Sequence, residues 1–137
     1  MEKVKIERLD NFGRGIGYIN NKVVFIENAL PEEIVECEII EDKKNYSVGK
    51  VVEYIKQSQE RVVPKCKYYD KCGGCHLQHL SYDDTKKYKI NKIKNMLQRE
   101  NVYDGDINFI ENKNDYYYRN KIELKVENGL WGYYNSN

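Results

Sequence analysis

The sequence predicts a mainly β protein with one helix, an α+β fold, and three observations support that prediction. Over residues 1–58, short runs rich in Val, Ile and Tyr alternate with turn residues. After residue 80, apolar residues recur at helical spacing. Nearer the end, an Asn128–Gly129 pair separates two apolar runs, which predicts a hairpin. The helix is therefore expected between two β regions.

Five short strands are expected in the first region. Their sequences are KVKIERL, GIGYIN, KVVFIE, EEIVECEII and SVGKVVEYI. The turns between them contain Asp, Asn, Gly and Pro, which favour tight reversals of the chain. Because closure removes exposed strand edges, five strands with tight turns favour a small closed barrel over an open sheet.

The glycine-rich stretch GRGIG, residues 13–17, does not indicate a phosphate-binding loop. It lacks the Lys-Ser/Thr ending and the following helix that such a loop needs. We expect a turn that leads into a strand. The sequence contains no other glycine-rich turn suited to a nucleotide cofactor and no persuasive Ser/His/Asp set.

A polar stretch that ends before Pro64 separates the expected barrel from a cysteine-rich segment. The predicted organisation is a barrel over 1–58, a linker and cysteine segment over 59–80, and a helix with a truncated β domain over 81–137. Because a lone hairpin is marginally stable in water, the natural protein is expected to continue beyond the final strand.

The helix has a clear predicted start and end. Ser81 followed by Asp84 is a helix-start signature, and Asn101 can end the helix. The residues that share its apolar face are Ile90, Ile93, Met96 and Leu97. The sequence from residue 107 to the end is expected to form strands.

Charge is unevenly distributed along a chain whose net charge is only +1. Residues 61–100 contain ten Lys or Arg against four Asp or Glu, so this segment can approach a polyanion. The charged start is not a secretory signal, and no stretch reaches the roughly 18 apolar residues of a membrane span. We expect a cytoplasmic protein without membrane contact. There thiols stay reduced, and clustered cysteines indicate a metal rather than disulfides.

The segment CKYYDKCGGCHLQH, residues 66–79, contains three cysteines, Cys66, Cys72 and Cys75, in a C-x5-C-x2-C pattern. Three thiolates neither complete a tetrahedral site nor hold a four-iron cluster, so a fourth ligand is needed. The candidates within the chain are Cys37, His76 and His79. Both an iron–sulfur cluster, whose negative charge the nearby lysines would offset, and zinc with a histidine ligand are compatible with this pattern.

The candidate fourth ligands have simpler expected roles. Cys37 lies in an alternating strand run and is expected to face inward as a small apolar residue. His76 and His79 are expected at the surface or in support of the metal ligands.

Tyrosine is abundant, with thirteen residues, several of them beside basic groups. Aromatic rings next to cations suit unstacked RNA bases and phosphates, and they are equally compatible with ordinary strand surfaces. The candidate RNA contacts are Lys86, Lys87, Arg119 and Lys121.

Two long stretches resemble known families. IERLDNFGRGIGYINNKVVFIENALPEEIVECEI is similar to a TRAM domain, a small OB-like RNA-binding barrel. CKYYDKCGGCHLQHLSYDD, followed later by YYYRNKIEL, resembles the iron–sulfur segment and the entry to the central domain of the TrmA/RumA-type RNA uracil-5-methyltransferases. The resemblance covers essentially the whole chain, and the order of barrel, cysteines and Y-R-N-K makes it specific.

The resemblance implies a four-iron four-sulfur cluster held by four cysteines. Cys66, Cys72 and Cys75 match the first three, and the fourth is expected beyond residue 137. It also implies S-adenosylmethionine-dependent methylation of carbon 5 of a uridine in structured RNA, with 23S ribosomal RNA expected and transfer RNA the other choice. In the family, the methyl donor site and the nucleophile lie in a C-terminal domain. This chain alone is therefore expected to bind RNA without catalysis.

Two alternatives remain open. Radical S-adenosylmethionine methylthiotransferases also have TRAM domains, but their cysteine spacing is C-x3-C-x2-C and their barrel follows the catalytic core. A stand-alone RNA-binding module with zinc or an iron–sulfur cluster is the other alternative.

Overall fold

Six strands form one sheet in the first part of the chain. The computed structural model describes residues 1–135. The strands are β1 (Glu2–Lys5), β2 (Arg8–Leu9), β3 (Gly15–Ile19), β4 (Lys22–Glu27), β5 (Ile34–Asp42) and β6 (Tyr46–Lys56). The order is β1-β5-β6-β4-β3-β2, antiparallel except for the parallel pair β4 and β6. The chain divides into two compact units, unit 1 (Met1–Val62) and unit 2 (Val63–Asn137).

The mainly β prediction is confirmed, but the closed five-stranded barrel is wrong because the sheet of unit 1 is open. The first predicted strand becomes two, since the chain bends at Ile6 and Glu7. The Ile6 N–H donates to the Glu33 carbonyl at 2.9 Å, whereas the Glu7 N–H donates to the Ile16 carbonyl in β3 at 2.8 Å. One bent run therefore supplies both edge strands, and the ladder of strand pairs does not close.

Alternate residues of the strands build the core of unit 1. The buried cluster contains Val4, Ile6, Val24, Ile26, Ala29, Val35 and Cys37. Gly17 of β3 lies close to β1. A methyl group added there would lie 2.8 Å from the Lys5 carbonyl oxygen, so glycine is required at this position. GRGIG is thus a turn that enters a strand, as predicted: Gly13 has a φ of 82°, and β3 begins at Gly15.

Glu33 is a fully buried carboxylate in unit 1. Arg61 donates to it from Nε at 2.7 Å and from Nη2 at 2.9 Å, and the N–H groups of Leu30 and Ser58 donate at 2.9 and 3.1 Å. Burial by itself raises the pKa of Glu33, but these hydrogen bonds and the Arg61 charge outweigh it and lower the pKa below the usual value. Residues 58–61 are therefore bound into the fold of unit 1.

In unit 2, the helix α1 spans Tyr82–Arg99. The Ser81 hydroxyl accepts a hydrogen bond from the Asp84 N–H at 3.2 Å, which confirms the predicted start. Asn101 lies just past the end with a φ of 54°, the left-handed conformation expected of a residue that ends a helix. The predicted apolar face is poorly covered, because Ile93 and Met96 are both exposed.

A hairpin of β7 (Lys125–Glu127) and β8 (Leu130–Gly132) follows in unit 2. Asn128 and Gly129, with φ values of 52° and 77°, form the predicted turn. The strands predicted over residues 107–124 are wrong, because that stretch forms no strand. The predicted strand continuation at residues 136–137 lies outside the described residues. In the part of the chain that the structure describes, no helix is long and apolar enough to cross a membrane.

Candidate metal centre and nucleic-acid interface

Two turns fold the cysteine segment back on itself. The Tyr69 N–H donates to the Cys66 carbonyl at 3.2 Å, and the Cys72 N–H donates to the Tyr68 carbonyl at 2.8 Å. The Gly74 N–H then points at the Cys72 sulfur, with 3.3 Å between nitrogen and Sγ. An N–H donor at this distance can hydrogen-bond to a metal-bound sulfur.

The Gly-Gly pair allows close approach of two backbones. The Gly73 N–H donates to the Tyr134 carbonyl at 2.7 Å, and Cys72 forms an isolated antiparallel bridge with Asn135. A methyl group added at Gly73 would lie 2.9 Å from that same carbonyl oxygen. Residues 72–73 are therefore held against the segment that follows β8.

The YYYR segment contacts the cysteine segment within unit 2. Arg119 donates from Nη2 to the Gly74 carbonyl at 3.3 Å and lies 4.0 Å from the Cys75 sulfur. The guanidinium thus places a positive charge beside a thiol that would be negative when it binds a metal. The two motifs on which the family resemblance rests meet in space.

Gln78 is a site residue that sequence reasoning did not identify. Its side-chain oxygen accepts from the Cys66 N–H at 3.3 Å and lies 3.5 Å from the Tyr116 hydroxyl. The Lys65 ammonium lies 4.4 Å from the centre of the Tyr116 ring. Gln78 therefore links the first cysteine to the YYYR segment, and its place in the C-x-L-Q-H pattern was the available signal.

The two histidines differ sharply in burial. His76 is exposed, whereas His79 is only 2% exposed and its Nδ1 lies 2.6 Å from the Tyr69 hydroxyl. The Tyr69 and His79 rings are stacked with centres 5.7 Å apart. This pair joins two positions of the cysteine segment that are 10 residues apart and gives the segment internal support.

The sulfur atoms only partly fit a metal centre. All four cysteines are free thiols, and Cys66, Cys72 and Cys75 are accessible. Among residues 1–135, no three His, Cys, Asp or Glu side chains are grouped so that they could hold one metal ion. The donors toward Cys72 and Cys75 suit an anionic thiolate cluster, so the local chemistry fits while the ligands are not assembled.

Cys37 belongs to the core of unit 1, as predicted. Its side chain is fully buried in the cluster of apolar residues. Burial raises the pKa of the Cys37 thiol, and the Glu2 carboxylate adds to this effect. A neutral buried thiol is a poor metal ligand.

The predicted RNA-contacting lysines are already engaged with carboxylates. Lys86 binds Glu111, which raises the pKa of the lysine, and its Nζ also lies 3.5 Å from Asp83. Lys87 lies 3.6 Å from Asp84. Such surface pairs exchange readily with solvent, so the lysines can still meet a phosphate.

Of the three candidate lysines, Lys121 is the most weakly held. Lys121 lies 4.0 Å from Glu123, and both side chains are largely exposed. In the described residues, no direct bond joins any two of the four candidate RNA contacts. Arg119 donates to the Gly74 carbonyl of the cysteine segment instead.

Known proteins resemble both parts of this chain. Residues 2–52 match the TRAM domain family. An RNA methyltransferase of Clostridium acetobutylicum is 38% identical over 128 residues, which is 90% of this chain and 28% of the relative. An RNA methyltransferase of Clostridium tetani is 44% identical over 115 residues, 83% of this chain and 25% of the relative.

A relative with a named substrate is also similar. The 23S rRNA (uracil(1939)-C(5))-methyltransferase RlmD of Vibrio campbellii is 40% identical over 98 residues, which is 72% of this chain and 22% of the relative. The chain thus spans about a quarter of the length of the curated relatives that it matches.

Proposed function

We propose that this chain is the RNA-binding and iron–sulfur-binding part of an S-adenosylmethionine-dependent RNA uracil-5-methyltransferase of the TrmA/RumA type. The main support is the meeting of the CGGC and YYYR segments within one unit, in a chain whose residues 2–52 match a TRAM domain. The names of the relatives favour a methyltransferase over the methylthiotransferase alternative. In this proposal, the methyltransferase activity is that of the whole protein.

The proposed metal group is a four-iron four-sulfur cluster held by Cys66, Cys72 and Cys75, with a fourth ligand outside this chain. When bound, such a cluster would supply structural cross-links between distant segments, since ligand binding free energy becomes folding free energy. Arg119 would offset its negative charge from beside Cys75. The Gly74 N–H would stabilise the Cys72 thiolate.

The proposed partner is ribosomal RNA, with transfer RNA as the alternative. Lys87 and Lys121 have side chains that are three-quarters or more exposed, so each can contact a phosphate without leaving a buried carboxylate behind. Lys86 and Arg119 are the other proposed contacts. S-adenosylmethionine is the proposed methyl donor of the whole enzyme, and the cytoplasm, where thiols stay reduced, is its proposed location.

The RNA part of the proposal is tested by binding of the chain to a uridine-containing stem-loop of 23S ribosomal RNA, with a transfer RNA as competitor. We expect binding that weakens as salt rises, and a further loss when Lys87 and Lys121 are both changed to Gln. The matched control is Lys50→Gln together with Lys56→Gln, two exposed lysines of β6. Absence of binding to either RNA would contradict the proposal.

The metal part is tested by iron and acid-labile sulfide analysis after anaerobic reconstitution with an added thiol, which takes the place of the fourth ligand that lies outside this chain. We expect iron and sulfide in the unchanged chain, and their loss when Cys66, Cys72 or Cys75 is changed to Ser. Cys37→Ala is the matched control, because Cys37 lies buried in unit 1 and should leave the iron content unchanged. Tight binding of one zinc per chain without iron would contradict the cluster.

A further inference from the structure

We infer that unit 1 has a stacking surface for the unpaired bases of single-stranded RNA. This surface, the arginine–aromatic face, consists of Arg8, Phe12, Arg14, Tyr18 and Phe25. The inference rests on the proposed RNA-binding function and adds a location for it on the sheet and turn of unit 1, in addition to the proposed lysine contacts of unit 2.

The strand register places Arg8, Tyr18 and Phe25 on one side of the sheet. Ile16 of β3 is paired with Arg8 on one side and with Phe25 on the other, and directly paired residues face the same way. Tyr18 follows Ile16 by two positions and therefore shares this face. Val24, the neighbour of Phe25, is buried in the core, so Phe25 faces away from the core.

Arg14 lies between two aromatic rings of this face. Its guanidinium carbon is 4.6 Å from the centre of the Phe25 ring and 5.7 Å from that of Phe12. Its Nε donates to the Asp10 carboxylate at 2.7 Å, which fixes the direction of the guanidinium. A fixed guanidinium plane beside aromatic rings is a surface on which a nucleic-acid base can stack.

The exposed ring of Phe12 is not needed to form the turn in which it lies. Its side chain is 69% exposed at the tip of the turn between β2 and β3. The turn is fixed by the Asp10 carboxylate instead, which accepts from the backbone N–H groups of Phe12 and Arg14 at 2.8 Å each. The turn can therefore form without the ring, and the ring remains available to a ligand.

Tyr46 extends the arginine–aromatic face, and a further contact joins two of its members. Tyr46 packs edge-on against Phe25 with ring centres 5.8 Å apart, and Arg8 lies 3.5 Å from the Tyr18 hydroxyl. Several aromatic rings with guanidinium groups among them match a strand of alternating bases and phosphates.

The charge of unit 1 favours unpaired bases over duplex RNA. Residues 1–62 contain ten Lys or Arg against twelve Asp or Glu, so no general attraction draws a polyanion to this unit. Affinity must then come from local contacts, which are stacking on the rings and two guanidinium groups. A duplex hides its base faces within the helix and cannot use them.

The test measures binding of the whole chain to an unstructured oligouridine and to a duplex RNA of equal length. We expect Phe12→Ala to weaken oligouridine binding about fivefold to a hundredfold, the range for loss of one stacked base, and to leave duplex binding unchanged. Phe12→Trp should retain the affinity. Ile40→Ala, which removes a similarly exposed apolar side chain of unit 1, is the matched control and should bind as the unchanged chain does.

A second variant, Tyr18→Leu, removes an aromatic ring in a strand and not in the turn, so its effect cannot come from a change in the turn. It should also weaken oligouridine binding. Equal oligouridine affinity for both variants and the unchanged chain would overturn the stacking surface, and would do so even if the double Lys87 and Lys121 variant lost affinity. In that case the proposed function would stand. Failure of the unchanged chain to bind any RNA would instead overturn both.

Discussion

The two units of this protein are stabilised in different ways. Unit 1 buries a cluster of apolar side chains and a paired carboxylate, Glu33. In the described part of unit 2, the buried side chains are only Leu80, His79 and Thr85. Leu130 and Trp131 of its hairpin remain 77% and 74% exposed. Unit 1 therefore has the core of an independent domain, whereas unit 2 depends on local polar contacts around its cysteine segment.

This difference has its physical cause in burial and not in length, because unit 2 is the longer of the two. A unit that buries too little apolar surface cannot offset the entropy of an ordered chain, and it commonly needs a metal or a partner surface. Unit 2 has several of its specific contacts where a metal would bind, at Cys66, Cys72 and Cys75 and at Arg119. The comparison predicts that the stability of unit 1 depends on side-chain packing and that the stability of unit 2 depends on ligand binding.

The largest expected effect of a single substitution is at Glu33. Glu33→Gln leaves the Arg61 guanidinium without its buried counter-charge, and we expect a loss of about 3–5 kcal/mol in the free energy of unfolding of unit 1. Hydrogen exchange of the β5 and β6 amides measures this loss. Glu32→Gln is the matched control, because Glu32 forms only an exposed pair with Lys5 at 3.8 Å and should cost less than about 1 kcal/mol. Equal exchange rates in the two variants would refute the assignment.

The same carboxylate gives unit 1 an acid sensitivity. The pKa of Glu33 is lowered in the folded state, so its stabilisation is fully present above the unfolded value of about 4.3. It is lost as the pH falls through the lower, folded pKa. We expect the free energy of unfolding to fall on acidification below about pH 4 and to fall less in Glu33→Gln. An identical pH dependence in the variant and the unchanged chain would contradict this.

A methyl group added to a glycine should affect the stability of the two units differently. In Gly17→Ala the new Cβ meets the Lys5 carbonyl oxygen and the Val4 side chain, and we expect a loss of about 1–3 kcal/mol from overpacking. Gly132→Ala in β8 places its methyl where nothing lies within 4 Å, so stability should hardly change. Urea unfolding followed by circular dichroism measures both. A harmless Gly17→Ala would mean that β1 and β3 do not approach closely.

The smallest expected effect is at the start of α1. Ser81→Ala removes the hydroxyl that accepts from the Asp84 N–H, which should cost about 1 kcal/mol of helix stability. Ser81→Asp keeps an acceptor and should restore it. Exchange rates of the amides in the first turn of α1 report the change, and rates that are equal in all three proteins would remove the cap from the account.

Local signals predicted the local structure well. The Asn128–Gly129 turn and the Ser81 cap depend on a few neighbouring residues, so the sequence alone could identify them. The bend at Ile6 and Glu7 depends on which carbonyl each N–H reaches, that of Glu33 just before β5 for Ile6 and that of Ile16 in β3 for Glu7. Those partners are distant in sequence, and an uninterrupted alternating run gave no sign of the bend.

The site was predictable in its chemistry but not in its contacts. Cysteine spacing identified the candidate metal ligands, and Tyr-Arg pairing suggested RNA. The contact between Arg119 and the Gly74 carbonyl joins segments 45 positions apart, which no local pattern encodes. Residues 107–124 illustrate the opposite error, since alternating apolar residues there suggested strands but no partner strand pairs with them in the described chain.

The central claim, that unit 2 needs an iron–sulfur group and unit 1 does not, is tested most directly by following both units during anaerobic reconstitution. Trp131 is the single tryptophan and lies in unit 2, so its fluorescence reports on that unit, while hydrogen exchange in β5 and β6 reports on unit 1. We predict that iron and sulfide raise the urea midpoint of the Trp131 transition and leave β5 and β6 unchanged. An unchanged Trp131 transition, or the same rise in a chain with Cys66, Cys72 and Cys75 all changed to Ser, would contradict the account.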